Sequence, residues 1–192
     1  ALTSLGTAMA VAVLVSSLQW LDSINHLVDV YFRQAQGQDI TVGFANTRSS
    51  EVARELARMP GVRTVEPMRV VPAKMRFGPR EERGSLQGLP AVQELSHVYD
   101  ASGRNLNLPP DGLVISTQLA DMLQVRPGDR ITVEVLEGRR PTFEVPVVST
   151  FETYIGSPAY MDIRALNRLM HEREAANSVH LRLDQNEQAR FY

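Results

Sequence analysis

The first charged side chain in this sequence is Asp22, and residues 1–21 before it are rich in leucine, valine, alanine and methionine. A helix rises about 1.5 Å per residue and the hydrocarbon layer of a bilayer is about 30 Å thick, so roughly 20 apolar residues can cross it. Residues 1–21 therefore predict a transmembrane helix, whole or partial. Trp20 at its end suits the membrane interface. Because the run starts at Ala1 without a methionine, we expect a fragment of a larger membrane protein.

Residues 1–21 allow two other interpretations. A secretory signal peptide requires a basic region before its apolar stretch, and that region is absent. A buried core helix of a soluble protein remains open, because several polar side chains dilute the apolar character. These are Thr3, Ser4, Thr7, Ser16, Ser17 and Gln19.

The helical pattern continues past Trp20. Apolar residues keep a spacing of three and four, which predicts an amphipathic stalk helix over residues 22–37. Asp22 and Asp29 precede Arg33, the first basic residue. Since cytoplasmic flanks of membrane helices are enriched in lysine and arginine, this flank is predicted to be extracytoplasmic. We expect the domain on the periplasmic side of the inner membrane of the cell.

Composition argues against several classes of protein. The formal net charge of −2 gives no support for binding a polyanion, so no nucleic-acid partner is expected. The absence of cysteine removes disulfides and thiolate metal ligands. No cofactor and no metal site are predicted.

The residues after the stalk predict an α+β fold, a mixed domain of two lobes. The first lobe begins with a strand over 39–44, a loop over 45–48 and a helix capped by Ser49 or Ser50. The inward-facing side of this helix carries Val52, Leu56 and Met59. There follow a strand pattern over 62–77, a turn at 78–79 and a returning strand over 84–88. This β-α-β-β lobe comprises residues 38–90 and 176–192, its last part truncated, with a final strand at 178–183 and an unfinished helix at 185–192.

The second lobe, residues 91–175, is predicted to be β-rich. It opens with a short helix around 92–99 and a strand at 114–115. Ser116 or Thr117 caps the next helix, and a long hairpin over 131–151 suggests a small barrel or sandwich. Asp162 caps a last helix, and Asp129 is expected to tether the turn that it follows.

The order of these motifs resembles the extracytoplasmic, or periplasmic core, domain of FtsX-like and MacB-type ABC transporter permeases. The resemblance spans nearly the whole chain and rests on arrangement together with short phrases. Besides the span and stalk, the phrases are Met59-Pro60-Gly61-Val62, Val65-Glu66-Pro67, the strand from Pro72-Ala73 to Arg76, Gly88-Leu89, the run from Leu108-Pro109-Pro110-Asp111-Gly112 to Ser116, the helix and turn from Leu119-Ala120 to Pro127-Gly128-Asp129, Tyr154-Ile155-Gly156, Tyr160-Met161-Asp162 and Leu166-Asn167.

The resemblance implies a non-catalytic domain of a permease subunit. In such permeases the domain couples ATP-driven membrane motion to export or release of a lipoprotein, peptide, lipid or drug, or to an external partner. The implied partners are the membrane, a separate cytoplasmic ATP-binding ABC subunit, a second permease copy or homologue, and an extracytoplasmic protein. A membrane-anchored ligand-binding sensor or adhesion module is the alternative, because the same stalk and lobes would serve it.

An enzyme is the third class of protein, but the candidate catalytic side chains are not in a recognised spacing. There is no metalloprotease pair, no nucleophile elbow and no glycine-rich phosphate loop. The candidate catalytic side chains are Ser116, Asp129, Glu152, Asp162 and the histidines at 26, 97, 171 and 180. We predict no catalytic residues.

Two exposed groups are candidates for contact with a partner. The tip of the 62–88 hairpin carries Arg76, Arg80 and Arg83 around two glutamates. The loop before the last helix clusters Tyr154, Ile155 and Tyr160 in a glycine-bearing segment. Loops carry function more often than cores do, although mixed charges and aromatic side chains are also common in purely structural turns.

Overall fold

The computed structural model describes residues 9, 13, 16, 38–98, 105–153 and 156–184. The chain divides into two units, residues 1–36 and 37–192. In the first, Met9, Val13 and Ser16 are helical and exposed. Across the described residues, no helix has both the length and the apolar character needed to traverse a bilayer. The predicted transmembrane helix (1–21), stalk (22–37) and terminal helix (185–192) lie outside the described residues, apart from those three positions, and stay predictions.

The described part of the second unit is a sheet-rich α+β domain, as the sequence predicts. Its elements in chain order are β1 (Ile40–Ser49), α1 (Glu51–Leu56), β2 (Val62–Phe77), β3 (Arg80–Leu89), β4 (Leu113–Ser116), α2 (Thr117–Leu123), β5 (Arg130–Val135), β6 (Thr142–Phe151), β7 (Ala159–Asp162), α3 (Ile163–Leu169) and β8 (Ala175–Leu183).

Six of these strands close into a barrel. The sheet order is β1-β8-β2-β3-β7-β4-β6-β5, and β5 pairs back with β2. The β3–β7 and β4–β6 pairs are parallel and the others in the ring are antiparallel. Since β4 and β7 run in opposite directions, the helices that directly follow them, α2 and α3, begin at opposite ends of the barrel. The sequence predicts a small barrel or sandwich within residues 91–175, whereas the observed barrel also contains β2 and β3, which lie outside that range.

Strand β2 belongs to two sheets in succession. Its residues 62–68 pair with β8, whose other edge carries β1, and its residues 69–77 pair with β3 on one side and, over 73–76, with β5 on the other. At about 3.3 Å per residue, this strand of 16 residues extends roughly 50 Å. One continuous strand thus joins the barrel to the three-stranded part of the sheet.

The core is apolar and lies mainly inside the barrel. Inward side chains of the strands pack with Leu119 and Leu123 from α2 and with Leu166 from α3. A second cluster outside the barrel includes Leu89 and Phe151. Helix α3 lies close to β3, because a Cβ placed on Gly88 would stand 2.9 Å from Leu166 Cδ2 and 3.1 Å from Ile163 Cα.

Two predicted helix caps, one predicted turn and the position of the last strand are confirmed. The Ser116 side chain accepts a hydrogen bond from the N–H of Leu119, and Asp162 accepts from the N–H groups of Arg164 and Ala165. Asp129 Oδ2 accepts from Arg126 N at 2.8 Å, which closes the turn. Strand β8 pairs with β1 and β2, so the last strand returns to the first sheet.

Three local predictions are wrong. The expected helix over 92–99 is irregular through residue 98, because a side chain from β2 takes the main-chain N–H groups that a helix would use. The expected loop at 45–48 belongs to β1, which reaches Ser49 by pairing with β8 across a bulge. Met59 is 44% exposed and lies beyond the end of α1, which buries none of its residues.

The division into two lobes, 38–90 with 176–192 and 91–175, stays a prediction. Strand pairings cross the position between 90 and 91, since β2 and β3 pair with β5 and β7.

Candidate functional site

A cleft of about 730 Å³ lies where β2 leaves the sheet and enters the barrel. Its walls come from β2, the irregular segment after β3, α3 and the turn that leads to β8. The lining residues are Ser50, Thr64, Val65, Glu66, Pro67, Pro90, Ala91, Val92, Glu94, Asp162, Ile163, Arg164, Asn167, Arg168, Glu172, Glu174 and Ala175. Clefts between structural layers are the commonest places for ligands, so this cleft is the candidate site.

One wall is held in place by the carboxylate of Glu66, which is 4% exposed. Glu66 Oε2 accepts from Glu94 N at 2.7 Å and Leu95 N at 3.0 Å, and Oε1 accepts from Ser96 N at 3.1 Å. Three successive N–H groups converge on one anion, an arrangement that stabilises negative charge away from water. The backbone of residues 94–96 is therefore fixed to β2 without forming regular secondary structure.

His180 fixes the same segment from β8. It lies opposite Glu66 in the antiparallel pairing, and its Nδ1 is 2.7 Å from Ser96 Oγ. Burial lowers the pKa of His180 below its ordinary value of 6.5, while the negative charge of Glu66 partly offsets this effect. The imidazole is therefore neutral at pH 7. We call Glu66, Ser96 and His180 the polar clamp.

The polar clamp has the residue types of a hydrolase triad but different connections. In a triad one imidazole nitrogen bonds the serine and the other bonds the carboxylate. Here the oxygens of Glu66 bond main-chain N–H groups, and Ser96 and His180 are both at least nine-tenths buried. This geometry anchors a loop and gives no approach for a substrate to the hydroxyl.

A buried ion cluster lies beside the clamp on β2. Arg69, 1% exposed, donates from Nε to Glu172 Oε2 at 3.1 Å and from Nη2 to Glu172 Oε1 and to Glu137. Glu137 belongs to the β5–β6 turn and Glu172 to the turn between α3 and β8. The guanidinium therefore ties a barrel turn to the wall of the cleft.

Asn177 completes the junction where β2 leaves β8. Its Oδ1 accepts from Val70 N at 2.8 Å, and its Nδ2 donates to Val70 O at 2.7 Å. The side-chain amide takes the place of a strand partner for one residue. Both main-chain groups of Val70 are thus satisfied at the point where the strand changes sheets.

The predicted contact residues fall in different places. Arg76, Arg80 and Arg83 are exposed at the β2–β3 hairpin, far along β2 from the cleft residues. Tyr160 is half-buried on β7, with its ring centroid 5.6 Å from that of Phe151, beside the second apolar cluster. Tyr154 and Ile155 lie outside the described residues. None of Arg76, Arg80, Arg83 and Tyr160 lines the cleft.

The side chains weighed for catalysis do not form one site among the described residues. Ser116 and Asp162 cap helices and Asp129 closes a turn. His97 lies near Asn105, and His171 and Glu152 are exposed. Within the described ranges, no three histidine, aspartate or glutamate side chains are grouped so that they could hold a metal ion. His26 lies outside those ranges.

Sequence reasoning missed the clamp and the ion cluster. The sequence marks Glu66 only as part of Val65-Glu66-Pro67 and gives Arg69 no distinguishing motif. The available signal was charge within a long apolar strand pattern, since both side chains lie in β2 and are buried. Their partners are more than 25 residues away in sequence, which periodicity does not reveal.

The family model of the MacB-like periplasmic core domain matches residues 1–190. The chain belongs to this family. The resemblance read from the motifs is therefore confirmed, and the family is one of periplasmic domains. No curated protein sequence matches the chain significantly.

Two solved structures share the fold of this MacB-like periplasmic core domain. The extracellular domain of the noncanonic ABC-type transporter YknZ from Gram-positive bacteria has a TM-score of 0.54 and 16% identity, covering 79% of this chain and 86% of that one. The periplasmic region of MacB from Actinobacillus actinomycetemcomitans has a TM-score of 0.50 and 10% identity, covering 79% and 76%.

Proposed function

We propose that this MacB-like periplasmic core domain is part of an ABC transporter permease subunit and that its role is mechanical rather than catalytic. The family match over residues 1–190 is the observation that carries the proposal. The two structures of similar fold come from proteins described as an ABC-type transporter and as MacB. Membrane motion powered by ATP would be passed through the domain to export or release of a lipoprotein, peptide, lipid or drug.

The junction on β2 supports a mechanical role. A single strand runs through the sheet and the barrel, so a displacement of one is carried by the backbone to the other. Arg69 and Asn177 brace the strand at the point where its partners change. A joint built in this way transmits force with little local bending.

The proposed partners follow from the same role. Residues 1–21 and 22–37 would anchor the domain as a transmembrane helix and a stalk at the inner membrane. A cytoplasmic ATP-binding subunit and a second permease copy or homologue would complete the transporter. An extracytoplasmic protein would contact either the β2–β3 hairpin through Arg76, Arg80 and Arg83, or the segment that carries Tyr154, Ile155 and Tyr160. The stalk would link motion in the membrane to the two lobes.

Co-purification tests this proposal. The protein expressed from its complete gene is washed in membranes with carbonate, then solubilised and purified. We expect it to stay in the membrane fraction and to bring an ATP-hydrolysing subunit with it. Release by carbonate would contradict membrane anchoring. Retention without any ATPase would contradict the transporter role and favour a sensor or adhesion module.

A further inference from the structure

The cleft has a largely apolar lining, and its charged part carries more negative than positive side chains. Five carboxylates stand in its walls against two guanidinium groups, which belong to Arg164 and Arg168. The carboxylates are those of Glu66, Glu94, Asp162, Glu172 and Glu174. Such a lining favours a ligand that brings N–H donors and positive charge.

Part of this charge is already paired. Glu172 binds Arg69, Glu174 is 3.9 Å from Arg54, and Arg168 binds Asp111 at 2.7 Å. Glu66 and Asp162 differ, because their described hydrogen bonds come from neutral main-chain N–H groups.

Both of those carboxylates are nearly buried, at 4% and 5% exposure. Their charge is therefore weakly screened by water, and no cationic side chain among the described residues makes an ion pair with either. Glu94 adds a third, exposed carboxylate at the rim.

An independent observation points to a donor ligand. Asn167 lies in α3, lines the cleft and is 5% exposed. Its Nδ2 donates to Ala175 O at 3.1 Å, but its buried Oδ1 has no hydrogen-bond partner among the described residues. A buried acceptor without a partner is costly, so a donor from a ligand would satisfy it.

Most of the rest of the lining is apolar. Pro67, Pro90, Ala91 and Ile163 contribute to the walls, and Val92 stands at the edge with 78% of its surface exposed. The polar clamp holds residues 94–96 in place and so fixes this edge. An occupant that covers Val92 must itself carry apolar groups.

We propose that the cleft binds an extended peptide segment in which a basic side chain lies between apolar ones. The positive N–H donors would enter toward Asp162, Asn167 and Glu66, and the flanking apolar side chains would cover Val92 and the prolines. This inference goes beyond the mechanical role and does not depend on it, since it concerns binding by the domain alone.

Titration with defined peptides tests the proposal. The probe is a capped pentapeptide with arginine between two leucines, added to the full chain in detergent and followed by isothermal titration calorimetry. The matched probe carries citrulline, which keeps the shape and removes the charge. We expect the arginine peptide to bind at least tenfold more tightly, with affinity falling as salt rises. Equal binding of both peptides, or no binding of either, would overturn the proposal, as would equally tight binding by arginine amide alone.

Substitutions in the cleft locate the binding. Glu94→Gln removes a rim charge and Asp162→Asn removes a buried one while keeping a residue that caps helices. Each is expected to weaken the arginine peptide about threefold and the pair about tenfold. Glu82→Gln, on the distant β3 strand, is the matched control and should leave affinity unchanged. If Asp162→Asn lowers the melting temperature, Glu94→Gln alone decides, and unchanged affinity in that variant would refute the site.

Discussion

Glu66 links three main-chain N–H groups that have no other described partner, so its removal leaves several buried donors unsatisfied at once. Glu66→Ala is expected to lower the free energy of unfolding by about 3 kcal/mol, since each buried donor without a partner costs about 1–3 kcal/mol and residues 94–96 can partly relax. Urea unfolding followed by circular dichroism measures this loss. Glu94→Ala, which removes the neighbouring exposed carboxylate, should change stability by less than about 0.5 kcal/mol. Equal losses in the two variants would show that Glu66 does not anchor the segment.

His180 makes stability depend on pH with a defined sign. Because burial lowers its pKa in the folded state, the unfolded chain binds the proton more readily. Its contribution is complete above the unfolded pKa of about 6.5 and is lost as the pH falls from there through the lower folded pKa. The slope from this one site can reach about 1.4 kcal/mol per pH unit.

Thermal melts between pH 7.5 and 5 test this dependence. His180→Asn should flatten the decline in melting temperature below pH 6.5, whereas His171→Asn at an exposed position should leave it as in the parent chain. A decline that is the same in all three proteins would assign it to other groups.

At the scale of elements, the packing of α3 on β3 depends on the absence of a side chain at Gly88. A methyl group there would meet the main chain of Ile163 at 3.1 Å, and backbone cannot move aside as a flexible side chain can. Gly88→Ala should cost about 2 kcal/mol of stability. Gly84→Ala on the same strand is the control, because its nearest neighbour is the terminal Met75 Cε at 3.5 Å. Denaturation midpoints that do not differ would contradict the close approach.

Most elements whose form depends on nearby residues were predictable from the sequence, whereas among the long-range pairings only the return of the last strand to the first sheet was. The caps at Ser116 and Asp162 and the turn at Asp129 follow from short side chains next to free N–H groups. The failure at 92–98 has the opposite origin, since Glu66, from another element, takes the N–H groups. The parallel pairs and the closure of β5 onto β2 likewise depend on contacts that alternation does not specify.

The candidate site as a whole could not be predicted from the sequence for the same reason. The sequence predicts Asp162 as a helix cap and not as a cleft residue, because its neighbours in sequence already explain it. The cleft itself needs β2, α3 and the 90–94 segment together, and only the strand register places His180 opposite Glu66. The buried acceptor of Asn167 has no sequence signature, because an asparagine in a helix is usually exposed.

For the whole domain, the Arg69 cluster decides how firmly the barrel is joined to the sheet. The guanidinium is 1% exposed, whereas the side chains of Glu137 and Glu172 are 32% and 29% exposed. Water can therefore solvate either carboxylate if the arginine is removed, but it cannot reach the arginine if the carboxylates are neutralised. Replacing Arg69 should therefore cost less free energy of unfolding than neutralising Glu137 and Glu172.

This asymmetry predicts the order of two variants. Arg69→Met fills the space with an apolar side chain and should destabilise the domain by about 2 kcal/mol, whereas Glu137→Gln combined with Glu172→Gln leaves a buried charge and should cost about 4 kcal/mol. Urea unfolding gives both values. Lys74→Met, which breaks the half-exposed pairs with Glu81 and Glu134, is the surface comparison and should cost under about 1 kcal/mol.

Hydrogen exchange on the Arg69→Met protein should show faster exchange at both the β5–β6 turn and the start of β8, since Arg69 contacts both turns. Acceleration at only one of them, or a larger loss for Arg69→Met than for the double variant, would mean that the cluster does not join the two parts.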